Sequence, residues 1–141
     1  MSNSLMPDNL MPLVAAQPGI WMAEQLSPVA NAWSVAHYVE LNGVLDEALL
    51  SQAVVAGMEE ADTLRMRFSE QEGVPVQWID LSARFMPPRC VDLRQHQTPQ
   101  QSALALMQQD LDQDLRISGC SPVYHHCVFR LSDSRWFWYQ R

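Results

Sequence analysis

His125 and His126 stand side by side in Tyr124-His-His-Cys-Val-Phe-Arg-Leu131 and are the first residues whose chemistry asks for an explanation. Paired imidazoles suggest a metal site. Adjacent residues of an extended chain point to opposite faces, however, so these two do not readily chelate one ion. The plain reading is one inward and one solvated histidine. His125 and Cys127 do share a face, as a Cys–His dyad requires. Nothing else in the sequence suggests a protease or a thiol transferase. His37 falls on the apolar side of an alternating stretch and reads as a satisfied core histidine. His96 lies in a polar loop and carries no signal. Asp110, Asp112 and Asp114, spaced by two along a helix, scatter around it and read as a solvated face.

Other chemistry is missing by pattern. The five glycines (Gly19, Gly43, Gly57, Gly73, Gly119) are scattered singly, with neither GxGxxG nor a P-loop. There is no GxSxG elbow. Cys90, Cys120 and Cys127 are odd in number and show no CxxC spacing, so reduced thiols are expected rather than disulfides or zinc. All nine basic residues are arginines in a chain of net charge −7, and no basic cluster could track a phosphate backbone, which argues against nucleic acid. The first residues lack the basic start of a secretory signal, and no apolar run approaches the roughly 20 residues of a membrane span. The cytoplasm is the expected compartment.

With 141 residues, 48% of them hydrophobic, the chain has the size and composition of one globular domain. Residues 1–12 read as a loose tail. Leu13, Ala16, Ile20, Ala23 and Leu26 recur at helical spacing, and Pro18-Gly19 places the helix start near them, with Ser27-Pro28 closing it. Trp33 to Leu41 alternates strictly and predicts a strand, followed by an Asn42-Gly43 turn. Leu45 to Ala61 predicts a helix, with Leu45, Leu49, Ala53 and Ala56 facing the core and Leu50, Val54 and Met58 flanking them. Leu64, Met66 and Phe68 alternate with Arg65 and Arg67, as in a strand with an apolar and a basic face. Its hairpin partner is Val74 to Ile79, where Pro75 calls for an edge or a bulge.

Phe85 to Leu93 is extended at most. Thr98-Pro-Gln-Gln101 is a capping-box start for a helix that buries Leu104, Met107, Leu111 and Leu115 and ends near Gly119. Val123–Leu131 and Trp136–Tyr139 close the chain as strands. Trp136-Phe-Trp-Tyr139 is apolar on both faces and belongs in the middle of a covered sheet. Helices interleaved with strands and hairpins predict an α+β sandwich with a mixed sheet.

Two segments carry a resemblance. Leu13-Val-Ala-Ala-Gln-Pro-Gly-Ile-Trp21 resembles the first core motif of the condensation domains of nonribosomal peptide synthetases. Ala16, Gln17, Ile20 and Trp21 match it, while Gly19 stands where many members have Arg. The second motif reads Arg-His-Glu-x-Leu-Arg-Thr-x-Phe. Asp62, Leu64, Arg65 and Phe68 keep its register, and Glu60 and Ala61 depart from its Arg-His start. The resemblance runs from about Leu13 to Arg141 and is strongest to a serine-activating, siderophore-making branch.

That resemblance implies a fold similar to chloramphenicol acetyltransferase, with this stretch as a partial N-terminal lobe over residues 13–141. It implies no catalytic residue here, because the family's His-His-x-x-x-Asp-Gly motif is expected beyond Arg141. Were His125-His126 that motif, its Asp and Gly would fall on Arg130 and Leu131. Arg65 is implied to support the site by pairing with that motif's Asp, and Gln17 and Trp21 to position the helix by packing. The parent enzyme would join 2,3-dihydroxybenzoate on an aryl carrier protein to serine on its own carrier. Phosphopantetheine arms sit on those partner carriers. No cofactor or metal is implied for this stretch, and ATP belongs to a downstream adenylation domain. Self-association through uncovered C-terminal strands is expected. The alternatives are a non-catalytic binding or scaffold module with half the fold, and a small acyltransferase using His125.

Overall fold

The computed structural model describes residues 9–29, 32–115, 117, 122 and 124–141. Along the chain run β1 (Met11–Pro12), α1 (Gln17–Leu26), β2 (His37–Asn42), α2 (Glu47–Glu59), a 3₁₀ turn (Asp62–Arg65), β3 (Met66–Gln71), β4 (Val74–Ile79), β5 (Arg89–Asp92), α3 (Pro99–Leu111), β6 (His126–Ser132) and β7 (Arg135–Gln140).

Two sheets form. The larger has the order β2-β7-β6-β5, with β7 antiparallel to both neighbours and β5 parallel to β6. A parallel pair needs a crossover, and α3 supplies it, so α3 lies against one face of this sheet. The core on that face comprises Leu93, Ala103, Met107, Cys127, Phe129, Leu131, Phe137 and Tyr139. Strand alternation turns Trp136, Trp138 and Arg130 to the other face, where α2 begins: Arg130 Nη1 lies 3.4 Å from Glu47 Oε1. The Arg130 guanidinium stacks over the Trp136 ring at 4.7 Å. The aromatic strand therefore sits inside the sheet, as its two-sided apolar pattern requires.

The smaller sheet, in the order β1-β4-β3, is built on the 70–73 hairpin. Glu72 and Gly73 both take positive φ there (50° and 80°), a geometry that suits Gly73. Pro75 lies beyond the reach of short β1, which pairs only with Val76 and Gln77 of β4.

Several expectations need correction. Met11 and Pro12, assigned to the tail, pair with β4. The first predicted strand begins at His37, and Trp33 and Val35 are exposed instead of sharing its covered face. Helix α2 turns Met58, Leu50 and Val54 inward with Ala53 beside them, while Leu49 and Ala56 face out. In α1 the buried side chain is Trp21, and Ile20 and Leu26 are exposed.

The 64–68 stretch is a 3₁₀ turn running into β3, and its basic side is not outward: Arg67 is buried. Helix α3 ends at Leu111 and buries Ala103 and Met107 rather than Leu104. The predicted end near Gly119 lies outside the described residues. Thr98 precedes α3 at φ −132°, ψ 76° and its side chain makes no capping hydrogen bond, so the capping box does not form. The C-terminal strands are not the uncovered edge; β2 and β5 are the outer strands of that sheet.

Candidate functional site

The first motif is built around one side chain. Gln17, at the first position of α1, accepts a hydrogen bond from the Val14 backbone N–H at 2.8 Å and donates to Gln77 Oε1 at 2.9 Å. Gln77, buried in β4, in turn donates to the Pro12 carbonyl at 3.0 Å. Two amides thus tie α1, β1 and β4 together, with every link a satisfied polar pair. Ala16 is the residue before the helix, Trp21 is buried on its inner side, and Ile20 faces out.

The second motif places Arg65 at the end of the 3₁₀ turn. Its Nη1 donates to the Glu59 carbonyl at 3.1 Å and lies 3.4 Å from Asp62 Oδ1, and its guanidinium sits 4.9 Å from the Phe85 ring centroid. Its Nε is buried without a hydrogen-bond partner among the described residues. Arg67 is held by the Met66 carbonyl at 2.9 Å and faces Asp80 at 3.8 Å. Hydrogen bonds from Ser82, with help from the Arg67 charge, keep the Asp80 carboxyl below the usual carboxylate range. Leu64 and Phe68 are half-buried, and Asp62 is exposed.

Between α2 and the sheet lies a cavity of about 680 Å³, to which Leu50, Val54, Met58, Leu64 and Trp138 contribute apolar walls. His37, His125 and His126 line it too. His37 is exposed at the first position of β2, not a core residue. The His126 ring nitrogen Nε2 lies 3.2 Å from the Met86 carbonyl, and burial holds its pKa below the ordinary histidine value. No group of three or more His, Cys, Asp or Glu side chains among the described residues is arranged to hold a metal.

His125 does not meet Cys127. The Cys127 thiol donates to the Arg89 carbonyl at 3.1 Å, and burial pushes it up to about 11. The partner of His125 is Asp110, whose Oδ1 lies 2.6 Å from Nδ1. Tyr139 donates its hydroxyl to Asp110 Oδ2 at 2.8 Å, and Arg141 Nη1 donates to the Asp110 carbonyl. Asp110 is thus the hub of a network rather than part of a solvated face. Sequence reasoning missed it, along with Arg67, Gln77 and Arg141, because each takes its role from a partner distant in the chain. One available signal was the polar tip of Tyr139, which needs a partner once buried.

Helices over a mixed sheet, with the two motif segments tied into the second sheet, define a class. Residues 8–141 match the condensation domain family, and the chain belongs to the condensation domains of nonribosomal peptide synthetases. It is 56% identical over 131 residues to enterobactin synthase component F of Escherichia coli (strain K12), covering 93% of this chain and 10% of that protein. It is 34% identical over 129 residues to the dimodular nonribosomal peptide synthase of Bacillus subtilis (strain 168), covering 92% of this chain and 5% of that one.

Among solved structures, the starter condensation domain of rhizomide synthetase RzmA matches with a TM-score of 0.83 at 29% identity, over 94% of this chain and 32% of that one. The first condensation domain of the CDA synthetase gives 0.81 at 25% identity, over 95% and 35%. The fold is that of the chloramphenicol-acetyltransferase-like condensation domains. The chain spans about a tenth of the length of enterobactin synthase component F and about a third of these solved chains. No helix among the described residues is long and apolar enough to cross a membrane.

Proposed function

We propose that this chain is the portion of a condensation domain that carries its first two motifs. In the intact synthetase that domain forms the amide between carrier-bound 2,3-dihydroxybenzoate and carrier-bound serine, in siderophore assembly for iron acquisition. The observation that carries this reading is the 56% identity to enterobactin synthase component F across 131 residues. The partners are an aryl carrier protein and the synthetase's own adenylation and carrier domains, and the compartment is the cytoplasm.

In the reaction the serine nitrogen attacks the thioester carbonyl of the aryl donor. A C–N bond forms, the C–S bond to the phosphopantetheine arm breaks, and the proton lost by nitrogen reaches the departing sulfur. The residues of this chain contribute position. Gln17 ties α1 to the small sheet, and Trp21 is the helix's buried side chain. Arg65, stacked on Phe85 with a buried Nε that has no hydrogen-bond partner among the described residues, is suited to receive a carboxylate from the segment bearing the family's His motif. Such positioning matters because a misplacement of about 1 Å can lower a rate by roughly 10²-fold.

The test is a transfer assay on the whole synthetase with loaded carriers, read by intact mass. Dihydroxybenzoyl-serine on the serine carrier is the expected product. Product formed from a different acyl donor, with none from dihydroxybenzoate, would overturn the substrate assignment.

A further inference from the structure

Strand alternation turns Phe137, Tyr139 and Arg141 to the face that α3 covers, and the end of α3 grips the end of β7 there. The Arg141 side chain is only 2% exposed although it carries a full charge. Its partners account for that burial. Nε donates to Ser34 Oγ at 2.8 Å and Nη2 to the Gln113 carbonyl at 2.7 Å. Nη1 donates to the Asp110 carbonyl and lies 3.7 Å from Asp110 Oδ2. A planar guanidinium engaged at all three nitrogens has little freedom left.

The backbone is held as firmly. The Arg141 N–H donates to the His125 carbonyl and the His125 N–H to the Arg141 carbonyl, both at 2.8 Å. Asp110 binds that partner as well, with Oδ1 2.6 Å from His125 Nδ1. Its Oδ2 accepts the Tyr139 hydroxyl at 2.8 Å. Burial first, and the Asp110 bond next, raise the pKa of that hydroxyl above its ordinary value, so it stays a donor. One carboxylate thus touches the residue before β6, a residue within β7 and the residue after β7. A buried polar network of this kind, with its members satisfied, favours a single arrangement. Buried ion pairs are weak sources of net stability, so what this one supplies is fixed geometry at the strand end.

We propose that Asp110 and Arg141 are positioning residues for the amide-forming reaction. Through them α3 fixes the end of β7, and with it the start of the segment bearing the family's His motif. The proposal rests on the condensation-domain reading, in which that segment continues from Arg141 in the intact synthetase. The polar atoms of both side chains are spent within the chain, so they act through the strand end they hold. A drift of about 1 Å at that point can lower a rate by roughly 10²-fold.

The test is loaded-carrier transfer by the whole synthetase, read by intact mass over a range of carrier concentrations so that kcat and KM separate. Arg141→Ala should lower kcat about 10–100-fold and leave KM for the loaded carriers within about twofold. Asp110→Asn, nearly the same shape but uncharged, should lower kcat by a smaller factor, and it keeps the test open should Arg141→Ala not fold. Asp112→Asn is the control: that side chain is exposed, accepts from Gln108 Nε2 at 3.0 Å, and should leave the wild-type rate. A folded Asp110→Asn synthetase with full kcat, a loss that appears in KM instead, or an equal loss in Asp112→Asn would each overturn the proposal. Every ratio is taken with whichever acyl donor the wild type transfers, so the dihydroxybenzoate assignment can fail without deciding it.

Discussion

Gln17 Nε2 donates to Gln77 Oε1 across 2.9 Å, joining the start of α1 to the central strand of the small sheet. Gln77 is 3% exposed, so loss of its partner strands a buried carbonyl oxygen away from water. Gln17→Ala also removes the acceptor of the Val14 N–H. The expected loss is about 1–3 kcal/mol, the range for an unsatisfied buried polar group. Urea unfolding should show a lower midpoint with an unchanged slope. A change below about 0.5 kcal/mol would mean that the pair is replaced by water.

His126 gives the fold a pH dependence. Burial lowers its pKa in the folded state, whereas the unfolded chain has the ordinary value of about 6.5. As pH falls through 6.5 the unfolded state takes up the proton first, so stability rises with pH in this window. The contribution is complete above 6.5 and is lost on acidification towards the lower folded value. His126→Gln has no proton to take up. Its melting temperature should therefore fall less than that of the wild type between pH 7.5 and pH 5, and equal falls would exclude this role.

The thiols should be sluggish. Cys90 is exposed, yet partial desolvation and a hydrogen bond to the neighbouring Glu47 carboxylate push it up to about 12, and burial pushes Cys127 up to about 11. Alkylation requires the thiolate, so both should react with iodoacetamide at pH 7.5 far more slowly than free cysteine. Peptide mapping by mass spectrometry reads each site separately. Glu47→Gln should speed labelling at Cys90 and leave Cys127 unchanged, and rapid wild-type labelling at Cys90 would count against the shift.

Features governed by local stereochemistry were legible in the sequence. Pro18 marked the first turn of α1, Gly73 marked the hairpin, and the two-sided apolar run Trp136–Tyr139 placed β7 inside a sheet. The two motif segments named the family before any geometry. What stayed hidden depends on tertiary partners. Asp110 looks solvated by its helical spacing, yet it takes the Tyr139 hydroxyl 29 positions away. Arg67 sits where alternation predicts a basic outer face, but Asp80 and the Met66 carbonyl make an inward guanidinium tolerable. Periodicity says which residues share a face; it does not say what that face meets.

Exposed apolar side chains point to self-association. Leu26 is 77% exposed, Trp33 58%, Val35 79% and Leu49 63%, well beyond what an isolated surface residue needs. Strand β2 adds a free edge beside partly exposed Tyr38 and Val39. Light scattering on residues 1–141 should show dimers or larger species that dissociate on dilution. Trp33→Ser combined with Val35→Ser should shift the distribution towards monomer, and a monodisperse wild-type monomer at high concentration would refute this.

Residues 1–141 alone should not transfer dihydroxybenzoate from its carrier to a seryl carrier. Amide formation needs two tethered substrates brought together, and a base or charge stabiliser at the attacking amine. The chain covers 32% of the solved starter condensation domain of rhizomide synthetase, so most of the surface that would hold two carrier arms lies elsewhere. His125 is not expected to replace the family's base: it stands directly before β6, and Arg130 and Leu131 occupy the places that the motif's Asp and Gly would take. A domain extended through the His-His-x-x-x-Asp-Gly motif should transfer, and replacing that motif's second histidine by Ala should remove most of the rate, in line with the roughly 10²–10⁴-fold of general-base help. Mass-spectrometric detection of the seryl-carrier product separates the outcomes. Product from the short chain that disappears on His125→Ala would establish His125 as a catalytic base and make this chain an acyltransferase in its own right.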